Sequence, residues 1–357
     1  KGEFFIDENY EDVHSKIEAE LIEKTGDAGK MIHTARSRND QVLVAIQLFL
    51  KEYLSETKSK VLNLIDIMIE KAEIHEDDLM PGYTHFQAAM PSSFGMWFSA
   101  YAENLLSDLY FLDAAYKVAD QNPLGSGAGF GTSFPIDRKA TTQELGFSEM
   151  AVSSVGAQML RGKTEKSTAV AISMISATLS KLSYDLVMYN SQDMGFVELP
   201  KEMTTGSSIM PHKKNPDVFE LTRAHCNRLQ ALPNDITMTI NNLPSGYHRD
   251  FQILKEFLFE PMEQFNNILD ILIFAIPQLK IKTDFMNQSK YDSIYTVENI
   301  NHLLQTGTSF RDAYRIVGIE VDKGTYTPHK EFKTTHLGSI HNLGLDEIKD
   351  KVNRYKK

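Results

Sequence analysis

Apolar positions recur in steps of three and four over long stretches of this chain. Gln41 to Asp78 contains neither Gly nor Pro, and Leu43, Ile46, Leu50, Tyr53, Val61, Leu64 and Met68 fall on one face. That spacing predicts an amphipathic helix. A second helix is predicted over Phe94–Val118, between Pro91 and Pro123. A third begins near Thr164, where Ile172, Ile175, Leu179, Leu182, Leu186 and Tyr189 alternate steps of three and four. This heptad-like seam predicts packing at shallow angles. Ala169, Val170, Met174, Ala177 and Val187 lie off the seam, so the same helix is expected to be buried on several sides. A fourth helix follows Pro216 to about Leu232, and a fifth spans Ile253–Phe274 with Pro261 near its start or at a kink.

Helices this long exceed the mean of about 11–12 residues. They predict an all-α fold, a long central helical bundle with small helical end domains. The excess apolar surface points to bundling between subunits. Gly/Ser/Pro-rich loops are expected at Pro81–Met90, Asn122–Pro135, Thr204–Asn215 and Asn242–Tyr247. Strand signals are sparse, and hairpin dipeptides such as Asn-Gly are absent. After Lys280 the pattern weakens into shorter helices. The expected division is a remnant of an N-terminal domain over 1–37, a long-helix domain over 38–286 and a small helical domain over 287–357.

Composition narrows the function. The chain has 357 residues, 42% hydrophobic and 24% charged, and a formal net charge of −11. An acidic chain argues against nucleic acid as the main partner, which would need a basic surface. An anionic substrate would require cations gathered locally. The single cysteine, Cys226, leaves no intramolecular disulfide and fits a reducing compartment. The eleven histidines are scattered without metal-site spacing. No apolar run reaches the ~18 residues of a membrane span. The start, Lys1 to Phe5, has no signal-peptide pattern and no methionine.

Four stretches carry candidate chemistry. Gly206-Ser207-Ser208-Ile209-Met210-Pro211-His212-Lys213-Lys214-Asn215-Pro216 combines a loop of free amides with a hydroxyl, two lysines and the start of a helix. It reads as an anion site or as a solvated, capped turn. His33 to Asp40 places Arg36, Ser37, Arg38 and Asn39 before the first long helix. Arginine forks match carboxylates; the other reading is a plain helix cap by Asn39 or Asp40 with Arg36 in solvent. His85, in Pro81–Gln87, is either a proton donor or an exposed loop histidine. Gly125, Gly127, Gly129 and Gly131 look like a phosphate loop. With no strand before them and no Gly-Lys-Ser/Thr after, close backbone packing is the better reading.

Together these stretches resemble the fumarase/aspartase superfamily, whose mark is the Gly-Ser-Ser-x-Met-Pro-x-Lys-x-Asn-Pro pattern at 206–216. Within it, Thr34–Gln41, Pro81–Gln87, Asn122–Gly127 and Pro211–Asp217 are similar to the argininosuccinate lyase branch. The resemblance runs from about Val13 to Gly318. It implies a cytoplasmic enzyme that splits argininosuccinate into arginine and fumarate by anti elimination, with no metal and no cofactor. By position, Ser207 matches the general base and His85 the general acid. Glu220 matches the carboxylate that orients the histidine. Lys213 and Asn215 match residues that steady the substrate carboxylate. Arg38, Asn39 and Thr84 match carboxylate-binding residues, with Ser37 beside them as a further substrate contact. Tyr247, Gln252 and Lys255 match the group holding the arginine-like end. The resemblance also implies a homotetramer whose sites are each shared by three chains, with no nucleic acid or membrane partner.

The sequence departs from that pattern in three places. Similar enzymes carry several tens of residues before the point matching Val13. Arg161-Gly162-Lys163 stands where an Asp/Glu-Arg-Asp run is usual. Ile253 and Leu254 stand where two acids usually separate Gln252 from Lys255. Two other readings remain: elimination on another succinyl substrate of the adenylosuccinate type, and a non-catalytic, crystallin-like homologue.

Overall fold

The computed structural model describes residues 4–356; the first three positions of the 1–37 segment and Lys357 lie outside them. Helices dominate. In chain order they are α1 (Val13–Thr25), α2 (Asp27–Met31), α3 (Arg38–Ile74), α4 (Phe94–Ala119), α5 (Arg138–Glu144), α6 (Ser154–Gln158), α7 (Lys163–Tyr189), α8 (Asp217–Leu229), α9 (Leu232–Ile240), α10 (Leu254–Ala275), α11 (Thr296–Gln305), α12 (Phe310–Asp322) and α13 (Leu345–Lys356). The all-α expectation holds, with a few short strand pairs added.

The chain forms two compact units, each drawn from three stretches. The first comprises Lys1–Thr57, Phe111–Ser173 and Ala231–Met262; the second comprises Lys58–Tyr110, Met174–Gln230 and Glu263–Lys357. In the first, Leu43, Leu50, Leu54, Leu254 and Leu258 are buried. In the second, Phe98, Leu179, Leu182 and Phe196 are buried, and Phe196 stacks on Phe285 with ring centres 4.1 Å apart.

The helical periods locate α3, α4, α7 and α10 to within a few residues. Every seam position of α7, from Ile172 to Tyr189, is buried; off the seam, Ala169 is buried and Val170, Met174, Ala177 and Val187 are half-buried. By length and composition α7 is apolar enough to cross a bilayer. Its buried seam is that of a core helix. The fourth predicted helix is α8, which stops at Leu229, three residues before the expected end; α9, which starts at Leu232, was not predicted. Pro233 lies in the first turn of α9, where its missing N–H costs no intrahelical hydrogen bond. Pro261 lies inside α10.

The expected loop at Pro81–Met90 is instead an antiparallel hairpin, β1 (Leu79–Thr84) and β2 (Gln87–Ser93), with Pro81 opposite Pro91 and a register shift at Gly82/Tyr83. Its two-residue turn is His85-Phe86, both left-handed at φ 55° and 58°. Left-handed backbone at both central residues is what a tight hairpin turn needs, and it is usually supplied by Asn-Gly.

Candidate active site

In the first unit, α3 begins at Arg38 behind a reciprocal cap. Ser37 Oγ accepts the Asn39 N–H at 3.3 Å, and Asp40 Oδ1 accepts the Ser37 N–H at 2.9 Å. This capping box leaves the Asn39 side chain free of cap duty. Asp40, fully buried, turns its other oxygen to the glycine-rich loop and accepts the N–H groups of Gly125 and Gly127 at 3.0 and 2.8 Å. An aspartate of the chain therefore fills the place that phosphate would take in a nucleotide loop. Gly125 sits at φ +86°, and a Cβ there would meet Arg138 Cγ at 2.8 Å, so only glycine fits.

A cleft of about 840 Å³ opens beside this helix start, lined by Asp12, His14, Arg38, Asn39, Phe49, Tyr247, Arg249, Gln252 and Lys255 among others. Five predicted residues meet in it: Arg38, Asn39, Tyr247, Gln252 and Lys255. Lys255 Nζ donates to Gln252 Oε1 at 2.9 Å, and Gln252 Nε2 donates to the Tyr247 hydroxyl oxygen at 2.5 Å. This polarised chain leaves the Tyr247 O–H proton to donate outward. Burial, and then the charge of Arg161, hold the Lys255 ammonium below its ordinary range. Arg38 is heavily engaged: Nε pairs with Asp12 at 2.9 Å, Nη1 donates to Gln41 at 3.0 Å and Nη2 to Ser15 at 3.1 Å. Nη1 also lies 3.5 Å from His33 Nδ1, which leaves one hydrogen, on Nη2, for a ligand.

Sequence reasoning missed Asp12 and His14. Asp12 caps α1 through the Ser15 N–H at 2.8 Å while pairing with Arg38. Burial first, then the positive charges of Arg38, Lys255 and His33, push the His14 imidazole below its usual range, against the pull of Asp12. The signal was present as Asp-x-His at a helix start. Of the two missing acids, Leu254 is buried and Ile253 is 44% exposed, and neither lines the cleft.

In the second unit, the 206–216 loop is closed by a short strand pair, Thr205 opposite Asn215 and Gly206 opposite Lys214. Ser207 Oγ accepts the Met210 N–H at 3.1 Å and the Ile209 N–H at 3.4 Å. Two amides aimed at one hydroxyl oxygen favour negative charge on it. Lys213 Nζ donates to Asn215 Oδ1 at 2.6 Å, Asn215 donates to Thr205, and Thr205 to Asp217. Lys213 and Asn215 are thus one linked pair. Ile209 is 82% exposed, so the loop tip stands in solvent. Thr84 and His85 sit at the exposed hairpin turn, and Glu220 in the first turn of α8. Among the described residues no hydrogen bond joins His85 to Glu220 or Ser207.

Sequence and structure comparisons follow the same line. A lyase family profile matches residues 1–231. The chain is 51% identical to an argininosuccinate lyase of Phocaeicola vulgatus over 98% of its length, covering 78% of that relative. It is 50% identical to one of Bacteroides fragilis at the same coverage. A third, from Stenotrophomonas maltophilia, is 38% identical over 98% of this chain and 81% of its own length. Two solved structures share the fold. An EDDS lyase has a TM-score of 0.77 at 23% identity, covering 96% of this chain and 70% of its own. A 3-carboxy-cis,cis-muconate lactonizing enzyme from Pseudomonas putida has 0.73 at 16%, covering 96% and 82%.

Proposed function

The chain belongs to the argininosuccinate lyase family, and from that we propose that it carries out anti elimination of argininosuccinate to arginine and fumarate. It is a carbon–nitrogen lyase acting on a small molecule. Ser207 removes a Cβ proton from the succinyl part. The electron pair moves onto the adjacent carboxylate, giving an aci-carboxylate held by Lys213 and Asn215. Its collapse breaks the C–N bond, and His85, oriented by Glu220, protonates the departing guanidinium nitrogen. Arg38, Asn39, Ser37 and Thr84 bind carboxylates, and the Lys255–Gln252–Tyr247 chain holds the amino-acid end of arginine.

The observation that carries this mechanism is the pair of backbone amides on Ser207 Oγ. A serine hydroxyl is a weak base, and these donors with the nearby Lys213 charge are what would lower its pKa. The enzyme is proposed to work in the cytoplasm as a homotetramer, with the serine loop, the histidine turn and the Arg38-Asn39 helix start of each site coming from three chains. Exposed Tyr110, Phe111, Tyr184, Ile271 and Phe274 on the long helices supply apolar surface for such an assembly. Residues 38–286 are proposed as its long-helix portion, and the short helices of 287–357 as an appended domain.

The test is fumarate absorbance with argininosuccinate as substrate. The wild type should release fumarate and Ser207→Ala should lose at least about a hundredfold in kcat. A wild type without fumarate would end the assignment, and full activity in Ser207→Ala would end the role of Ser207.

A further inference from the structure

One departure from the family pattern lies directly behind the cleft. Arg161 and Glu165 are 5% and 1% exposed. Arg161 Nε lies 2.9 Å from Glu165 Oε1, and Glu165 Oε2 accepts the Gly162 N–H at 2.7 Å. Gly162 has φ +81°, and a Cβ there would press within 3.0 Å of Ile240 and 3.3 Å of Phe251. The remaining arm of Arg161, Nη2, donates to the Phe251 carbonyl at 3.1 Å. Phe251 is buried in the turn Arg249–Gln252, one residue before Gln252.

A buried ion pair of this kind seldom adds stability over well-packed apolar side chains, because two charges must be stripped of water. Its presence here calls for another role, and its third contact supplies one. The guanidinium is planar and rigid. With Glu165 paired to Nε as an ion pair, the Nη2 hydrogen bond fixes where the Phe251 carbonyl lies. Gln252 and Lys255 leave the backbone on either side of the point where the turn passes into α10. A shift of that carbonyl would therefore move both.

We propose that Arg161, clamped by Glu165, is a positioning residue for the binding of the substrate's amino-acid end, acting through the Phe251 carbonyl on the Gln252–Lys255 segment. This rests on the reading of that cleft given above. Arg161 does not line the cleft. Its charge also reaches Lys255, whose ammonium is held below its ordinary range by burial first and Arg161 second.

The test compares steady-state kinetics on argininosuccinate for three proteins. Lys255→Ala reports on the cleft itself. Arg161→Lys keeps a buried cation beside Glu165 but cannot fork to Phe251. The double variant Arg161→Met/Glu165→Met removes both charges while filling similar volume, which protects the fold. Both Arg161 proteins should raise KM roughly tenfold and leave kcat within about twofold, the signature of lost binding geometry without lost chemistry. If Lys255→Ala leaves KM unchanged, the reading of the cleft fails. If Lys255→Ala raises KM while both Arg161 proteins fold and keep the wild-type KM, the positioning role fails. The role also fails if kcat falls in step with the thermal midpoint, or if neither Arg161 protein folds, because the pair is then a core element only.

Discussion

At the scale of single residues, Asp40 does several things at once. One oxygen closes the cap of α3, and the other satisfies two buried amides of the glycine-rich loop. Asp40→Ala would leave those N–H groups without a partner, at about 1–3 kcal/mol for each buried group left unmade. A loss of roughly 3 kcal/mol in denaturant unfolding is expected, with a smaller loss for Asp40→Asn, whose amide oxygen can still accept. Asp40→Gly opens a carboxylate-sized gap between the loop and the helix. Added formate should restore part of its stability, which a formate titration of the thermal midpoint would show; no shift beyond that of wild type would refute the idea. The sequence displayed the glycines and the aspartate but not their meeting. They lie more than eighty residues apart, and local spacing says nothing about contacts across that distance.

At the scale of elements, α4 and α7 are joined by a buried carboxyl. Asp108 on α4 accepts the Thr178 hydroxyl of α7 at 2.6 Å, and burial pushes its pKa up to about 6 despite that hydrogen bond. Its ordinary value is 3.8. Below that value both folded and unfolded chains are protonated, and the group is neutral to stability. As pH rises the unfolded chain ionises first, so folding loses stability until Asp108 itself ionises near pH 6. Asp108→Asn should therefore gain about 2 kcal/mol at pH 7.5 and nothing at pH 3.5, read from urea midpoints at the two values. An equal effect at both would refute the assignment. The helices themselves were legible because their periods are long and regular, as the wholly buried seam of α7 shows. The β1–β2 hairpin was not. Two prolines face each other in its register, and its turn uses His85-Phe86 where pattern rules look for Asn-Gly. Left-handed backbone at two non-glycine residues is strained, and such strain gathers where side chains are needed at a set angle. The candidate acid stands on that turn. In the cleft, Tyr247, Gln252 and Lys255 were found through resemblance, whereas His14 and Asp12 needed the long-range pairing of Asp12 and Ser15 with Arg38.

At the scale of the whole molecule, the proposed sharing of each site among three chains has a direct test. Ser207→Ala and His85→Asn should each be nearly inactive alone, His85→Asn by about a hundredfold or more in kcat. When the two are unfolded together and refolded as mixed tetramers, some sites draw the intact serine and the intact histidine from different chains. Activity should reappear in the mixture and stay absent in each variant refolded alone. Absence of any recovery in tetramers verified by light scattering would place both groups on one chain. The aromatic rings displayed by Tyr110, Phe111, Tyr184 and Phe274 carry a further consequence for how the enzyme is made. If the proposed tetramer forms, a newly folded protomer shows them to water until it docks, so correct docking competes with clumping. Docking is too slow in very dilute protein and clumping dominates in concentrated protein. The yield of refolded enzyme must therefore pass through an optimum between the two.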